Sequence, residues 1–154
     1  MTLEELLHPA AIVPELHGTD VAEVFAELCA PLARSEGIAA GELVTALLER
    51  EAVASTALGD GLAIPHGVHP GLTRIVASLG RSRGGVALDA LDGRPVHLFV
   101  ALLRPPDAPE LHLEALARFS RALGVASVRD ALVGAASAEA IAAILYPPNS
   151  QQLG

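Results

Sequence analysis

The 154-residue chain has no lysine and no tryptophan, one tyrosine, three phenylalanines and a single cysteine. One cysteine excludes an internal disulfide and any cysteine-rich metal site. Cys29 falls in register with Val21, Val24, Phe25, Leu28 and Leu32, which marks it as a helix core position and not a redox group. Ten arginines against 18 acidic residues leave a net charge of −8, with no basic run and no aromatic stacking platform. That balance argues against a nucleic-acid partner. No apolar run approaches the roughly 20 residues of a bilayer-spanning helix, and Met1-Thr2-Leu3-Glu4-Glu5 lacks the basic start of a secretion signal. The expectation is a cytoplasmic protein with no direct membrane insertion.

What is present suffices for one core: 51% of residues are hydrophobic and only 18% charged, over a length too short for two ordinary domains. Asp20 before Val21, with Glu23 three residues on, predicts a helix start, and Gly37 a stop. A second helix is expected from Gly41 to Ala52, with Leu43, Val44, Leu47 and Leu48 on one face. Strands are expected at Leu62–Ile64, Ile75–Leu79 and Val96–Leu103, with a short extended piece around Ile12-Val13. Gly84-Gly85 and Leu91-Asp92-Gly93-Arg94-Pro95 supply turns between them. Further helices fit Pro109–Leu123, capped near Asp107 with a Leu116/Phe119/Leu123 stripe, Val128–Val133 opened by Ser127, and Ala138–Leu145 opened by Ser137. Apolar strands alternating with helices predict an α/β domain with helices on both faces of one sheet.

The run Gly61-Leu62-Ala63-Ile64-Pro65-His66-Gly67 delivers one imidazole at the end of a strand-like segment. Pro65 biases Ile64 toward extended backbone and cannot donate to a ladder, so pairing is expected to stop there and leave His66 at a sheet rim. Gly67, lacking a Cβ, is expected to let another molecule approach the ring. From Glu51 to Gly67 the chain reads EAVASTALGDGLAIPHG. This stretch resembles the phosphorylation-site signature of the type 2 (fructose/mannitol/nitrogen-regulatory) class of phosphotransferase-system (PTS) EIIA domains. The match lies in Glu51, Leu58-Gly59, Leu62-Ala63-Ile64 and Pro65-His66-Gly67 at that family's spacing. The bland alternative is a histidine that happens to follow a strand.

The resemblance extends over Leu3 to Leu145. It implies a single domain at 1–146 with a mixed sheet of roughly five strands; residues 147–154 have no periodicity and are expected to be a disordered tail. It implies that His66 accepts a phosphoryl group through its outer ring nitrogen, with the inner nitrogen tied to the protein. It implies a second site histidine at His112, in Pro109-Glu110-Leu111-His112-Leu113, and an arginine at Arg50 just ahead of the signature. Thr56, of the Ser55-Thr56 pair, and Gly67 become phosphate-binding candidates. Each has a plainer reading: His112 a half-buried structural ring, Arg50 a helix-end ion pair with Glu49 or Glu51, Thr56 a turn cap. His66 and His69 make an H-x-x-H spacing without the helix and glutamate of metalloprotease motifs, so no metal is expected, and His8, His17 and His97 read as structural or exposed.

Three functions follow. The first is a phosphocarrier of sugar uptake, taking phosphate from a phosphorylated HPr-like carrier and passing it to a IIB component, with no cofactor beyond the phosphoryl group on His66. The second is a nitrogen-related regulatory protein whose phosphorylation state controls binding to target proteins. The third is a histidine-based metal- or ligand-binding domain built on His66, His69 and His112.

Overall fold

A short helix, α1 (Leu3–Leu6), and a 3-10 turn (Pro9–Ala11) lead into a two-residue strand, β1 (Ile12–Val13), in a computed structural model that describes residues 1–88 and 92–147. Leu91 of the expected turn and residues 148–154 of the expected tail lie outside the described residues. Helix α2 (Val21–Glu36) begins where its capping pattern predicts, with the Asp20 carboxylate accepting the Glu23 amide at 2.8 Å. It ends on Gly37, whose φ of 67° is the left-handed closure glycine takes without strain. Its buried stripe includes Cys29, and burial pushes that thiol up to about 12, an inert core group. Helix α3 (Ala40–Val53) packs beside α2 and buries Leu43 and Leu47.

The remaining strands are β2 (Ala57–Gly59), β3 (Leu62–Ala63), β4 (His66–Val68), β5 (Val76–Val86) and β6 (Val96–Arg104). Spatial order is β1-β5-β6-β3-β2, and β4 also pairs with β6. Strands β3 and β4 run parallel to β6 in sequence, with Leu62 opposite Leu98 and His66 opposite Leu102. Pro65 therefore interrupts the ladder without ending it: it donates nothing, but its carbonyl accepts the Leu102 amide at 2.9 Å and pairing resumes at His66. This corrects the expectation that pairing stops at Pro65, and it makes six strands of the five the resemblance implies. Strand β5 also outruns its expected end. Gly84-Gly85 is not a turn but part of the strand, with a register shift between Arg81 and Val86 and Gly85 at φ 80°.

Helices α4 (Pro109–Leu123), α5 (Ala126–Gly134) and α6 (Ala138–Leu145) complete the mixed α/β domain. Ser137 caps α6 by accepting the Ala140 amide at 3.1 Å. Neither Asp107 nor Ser127 caps its helix: α4 starts from Ala108 and α5 from Val125, both without a side-chain cap. The buried face of α4 is His112, Ala115, Phe119 and Leu123, with Leu116 only partly covered. No helix among the described residues is long and apolar enough to cross a membrane.

One charged side chain organises the far end of the sheet. Arg81, in β5, is 0% exposed. Its Nε donates to the Pro14 carbonyl at 3.0 Å and its Nη1 to the carbonyls of Leu132, at 3.0 Å, and Ala135, where α5 ends. A cation suits that position because the last carbonyls of a helix carry partial negative charge and lack partners within the helix.

Candidate functional site

The parallel pairing of β4 with β6 brings both strands' carboxyl ends to one rim of the sheet, where open α/β sheets characteristically leave a crevice. A cleft of about 450 Å³ opens there, lined by Ala46, Glu49 and Arg50 of α3, His66, Gly67 and Val68 of β4, Arg104 of β6 and His112 of α4. Four of the five residues expected from sequence thus share one cleft. The His66 and His112 rings face each other with centroids 5.1 Å apart and planes tilted by 56°.

His66 Nδ1 lies 2.8 Å from the Ile64 carbonyl. A carbonyl only accepts, so Nδ1 carries the proton and Nε2 keeps its lone pair. Burial holds the ring's pKa below the usual imidazole value; the bond to Ile64 and the charge of Glu51 oppose that shift, and Arg50 and Arg104 add to it. The ring is neutral near pH 7, the state in which Nε2 is a nucleophile. His112 is 8% exposed, its Nδ1 buried with no hydrogen-bond partner among the described residues. Burial first, then His66 and Arg104, bring its pKa down to about 4.

That shift fixes a pH dependence. A histidine that titrates near 4 when folded and near 6.5 when unfolded favours the folded state fully only above about 6.5, and this contribution is lost as pH falls toward 4. Acidification from pH 7 to 4.5 is expected to remove about 2 kcal/mol through this ring, less than its whole shift because pH 4.5 still lies above the folded-state value. Denaturant melts across that range check it: His112→Gln should flatten the acid-side loss relative to wild type.

Arg50 is not paired with Glu49 or Glu51. Its Nη1 donates to the Ala54 carbonyl at 2.9 Å, which folds the guanidinium across the end of α3. Thr56 does not line the cleft. It is buried, its hydroxyl donates to Glu51 Oε1 at 2.5 Å and its amide to Oε2 at 2.9 Å. Its own carbonyl accepts the Ile64 amide at 3.1 Å, so Thr56 links Glu51 to the residue that orients His66. The phosphate-binding role expected of Thr56 does not fit this geometry, because the hydroxyl proton is committed to a carboxylate.

Gly67 also differs from expectation. A Cβ there would stand 2.8 Å from the Ala46 carbonyl oxygen and 3.0 Å from its carbon, so the missing side chain admits the α3 backbone and not an outside molecule. Gly67→Ala is expected to push α3 and Arg50 off the cleft, at a cost of about 1–3 kcal/mol from overpacking. Equilibrium unfolding in urea measures this; a wild-type midpoint would mean α3 yields freely.

His69 does not line the cleft: its Nδ1 accepts the Gly71 amide at 2.9 Å, which leaves Nε2 protonated to meet Glu42 Oε1 at 2.9 Å. His8 Nδ1 accepts the Ala10 amide, and His97 Nδ1 meets the Ser82 carbonyl. No group of three or more metal-ligating side chains occurs among the described residues. Sequence reasoning missed Arg104 and Glu49 as cleft residues, and the available signal was a charge closing a long apolar strand just before Pro105-Pro106.

The model of the family described as "Phosphoenolpyruvate-dependent sugar phosphotransferase system, EIIA 2" matches residues 5–147. A nitrogen regulatory protein of Bradyrhizobium diazoefficiens is 35% identical over 148 residues, 96% of this chain and 97% of the relative. The fructose-specific EIIABC component of Bacillus subtilis is 39% identical over 100 residues, 65% of this chain but only 16% of that longer protein. The crystal structure of the nitrogen regulatory protein IIA-Ntr from Neisseria meningitidis superposes with a TM-score of 0.86 at 35% identity, covering 93% of this chain and 98% of that one. The chain therefore belongs to the EIIA type 2 family of the phosphoenolpyruvate-dependent sugar phosphotransferase system.

Proposed function

We propose that this protein carries a phosphoryl group on His66 Nε2, received from a phosphorylated HPr-like carrier. The observation that carries the reading is the Ile64–His66 hydrogen bond, which leaves Nε2 unprotonated in a cleft that also holds two guanidinium groups and a second neutral imidazole. In the transfer, the donor's P–N bond breaks as a new P–N bond forms to Nε2. The donor ring recovers its electron pair, the Nδ1 proton stays on His66 facing Ile64, and no other proton changes hands. In such a step the protein chiefly positions the reactants and stabilises phosphoryl charge. Arg50 is placed for the second task, and the buried His112 ring for shaping the pocket around the entering group.

Among uses of that phosphoryl group, the nitrogen-related regulatory one is favoured, with phosphorylation switching the binding of target proteins in the cytoplasm. The support is coextension: the nitrogen regulatory relative is matched over 97% of its length, whereas the fructose component is matched over 16% of its own. The second reading, donation to a IIB component in sugar uptake, rests on the family's own description and on the 39% identity to the fructose component.

The test is incubation with a phosphorylated histidine carrier. Acid-labile, base-stable label on the protein is expected; absence of label would defeat the reading. Stoichiometric zinc in the purified protein would instead favour the metal-binding alternative.

A further inference from the structure

Arg104 closes β6, and its Cα pairs with Val68 while His66 pairs with Leu102 two residues earlier. Side chains two apart on a strand share a face, and parallel partners point the same way, so His66 and Arg104 stand on one face of the sheet. Ordinary strand spacings put their Cα atoms about 8 Å apart on the diagonal, within the reach of an arginine side chain.

Two further observations set this arginine apart from a strand-end charge. Its Nη1 donates to the carbonyls of Pro105 at 3.1 Å and Pro106 at 3.2 Å, and it makes no ion pair among the described residues. Arg50 is held alike, by one Nη1 bond to a main-chain carbonyl. Each guanidinium is thus fixed by one nitrogen, with Nε and Nη2 unbonded within the described residues. The charge of Arg104 also reaches both imidazoles, lowering the pKa of each. Glu49 is the carboxylate that lines the cleft, while Glu51, whose charge also reaches His66, is tied to Thr56 through both oxygens.

We propose that Arg104 is a catalytic residue of this chain, donating to the phosphoryl oxygens from the side of the cleft opposite Arg50. The assignment rests on the carrier reading of His66. A phosphohistidine flanked by two fixed guanidinium groups has its oxygens held from two directions, which orients the phosphorus for in-line displacement and spreads the charge of the transferring group.

The experiment uses the full chain and two phosphoryl donors, a phosphorylated histidine carrier and the small molecule phosphoramidate, with wild type, Arg104→Gln and Arg104→Lys. Thermal melts confirm that each variant folds. Arg104→Gln is expected to lose at least tenfold in labelling rate from both donors, and Arg104→Lys to recover part of it. The second readout is the phosphoryl group itself, titrated by phosphorus NMR on labelled protein. A contacting cation lowers its ionisation pH, so the Arg104→Gln adduct should titrate higher than wild type; a residue that merely caps β6 would leave that titration unmoved. Wild-type rates and an unshifted titration in Arg104→Gln would overturn the assignment while leaving His66 as carrier. No label on wild-type His66 from either donor would overturn both.

Discussion

Replacing His66 with alanine is expected to reduce phosphoryl incorporation to background while leaving the fold in place. The ring is half-buried and makes one hydrogen bond, to Ile64, so its loss should cost about 1 kcal/mol. The other histidines are poorly placed to substitute. Both nitrogens of His69 are engaged, by Gly71 and Glu42, and His8 and His97 each spend Nδ1 on the backbone away from the cleft. His112 is the nearest alternative, but its buried Nδ1 has no acceptor among the described residues to fix the tautomer that Ile64 fixes for His66. Mass spectrometry of labelled wild type and His66→Ala, each with a melting curve, decides the point. Equal incorporation in the two would remove His66 from the acceptor role.

The largest loss of stability is expected at a residue remote from the chemistry. Arg81→Met would keep most of the side-chain volume in β5 but strip the carbonyls of Pro14, Leu132 and Ala135 of their shared donor. The Leu132 carbonyl keeps the Ala135 amide at 3.3 Å and the Ala135 carbonyl keeps Arg83 Nη2 at 3.4 Å. The loss is therefore about 1–3 kcal/mol for the Pro14 acceptor left unpaired and about 1 kcal/mol for each of the other two bonds, about 3–5 kcal/mol together, or about 10 °C in Tm for a domain of this size. Arg81→Lys should recover only a fraction, because an ammonium lacks the planar fork that meets Pro14 on one side and the end of α5 on the other. Calorimetry of the three proteins tests this, and a near-native Tm for Arg81→Met would show that the carbonyls find other donors. Labelling of Arg81→Met below its melting point should persist, since β1 and α5 contribute nothing to the cleft.

Local chemistry was legible and long-range chemistry was not. Asp20 and Ser137 cap the helices they precede because a capping side chain reaches only three residues along the chain. The run that ends in Pro65-His66 marked a histidine that does line the cleft, although the pairing expected to stop at Pro65 resumes at His66. Asp107 and Ser127 failed as caps within their own turns, but most of what failed depended on partners far away in sequence. Strand β4 exists because β6, more than 30 residues later in the chain, supplies its ladder. Thr56 is a nearer case: Glu51, five residues back, claimed its hydroxyl. Arg81 and Arg104, an interior anchor and a cleft cation, look alike in sequence: each is an arginine in or at the end of an apolar strand. Burial at 0% and the ends of α5 distinguish the first, and the shared rim of β4 and β6 the second.

The contact between Gly67 and the main chain of Ala46 has a meaning for how the chain threads its sheet. Sliding β4 by one residue against β6 would bring the imidazole to the position Gly67 now holds, where even a Cβ would lie 2.8 Å from a carbonyl oxygen. A ring cannot enter there without prising α3 from the sheet. The helix backbone therefore proofreads strand register: it admits the one alignment that turns His66 toward the crevice, and a one-residue insertion or deletion between Gly61 and Pro65 would meet a steric barrier before any question of reactivity arose.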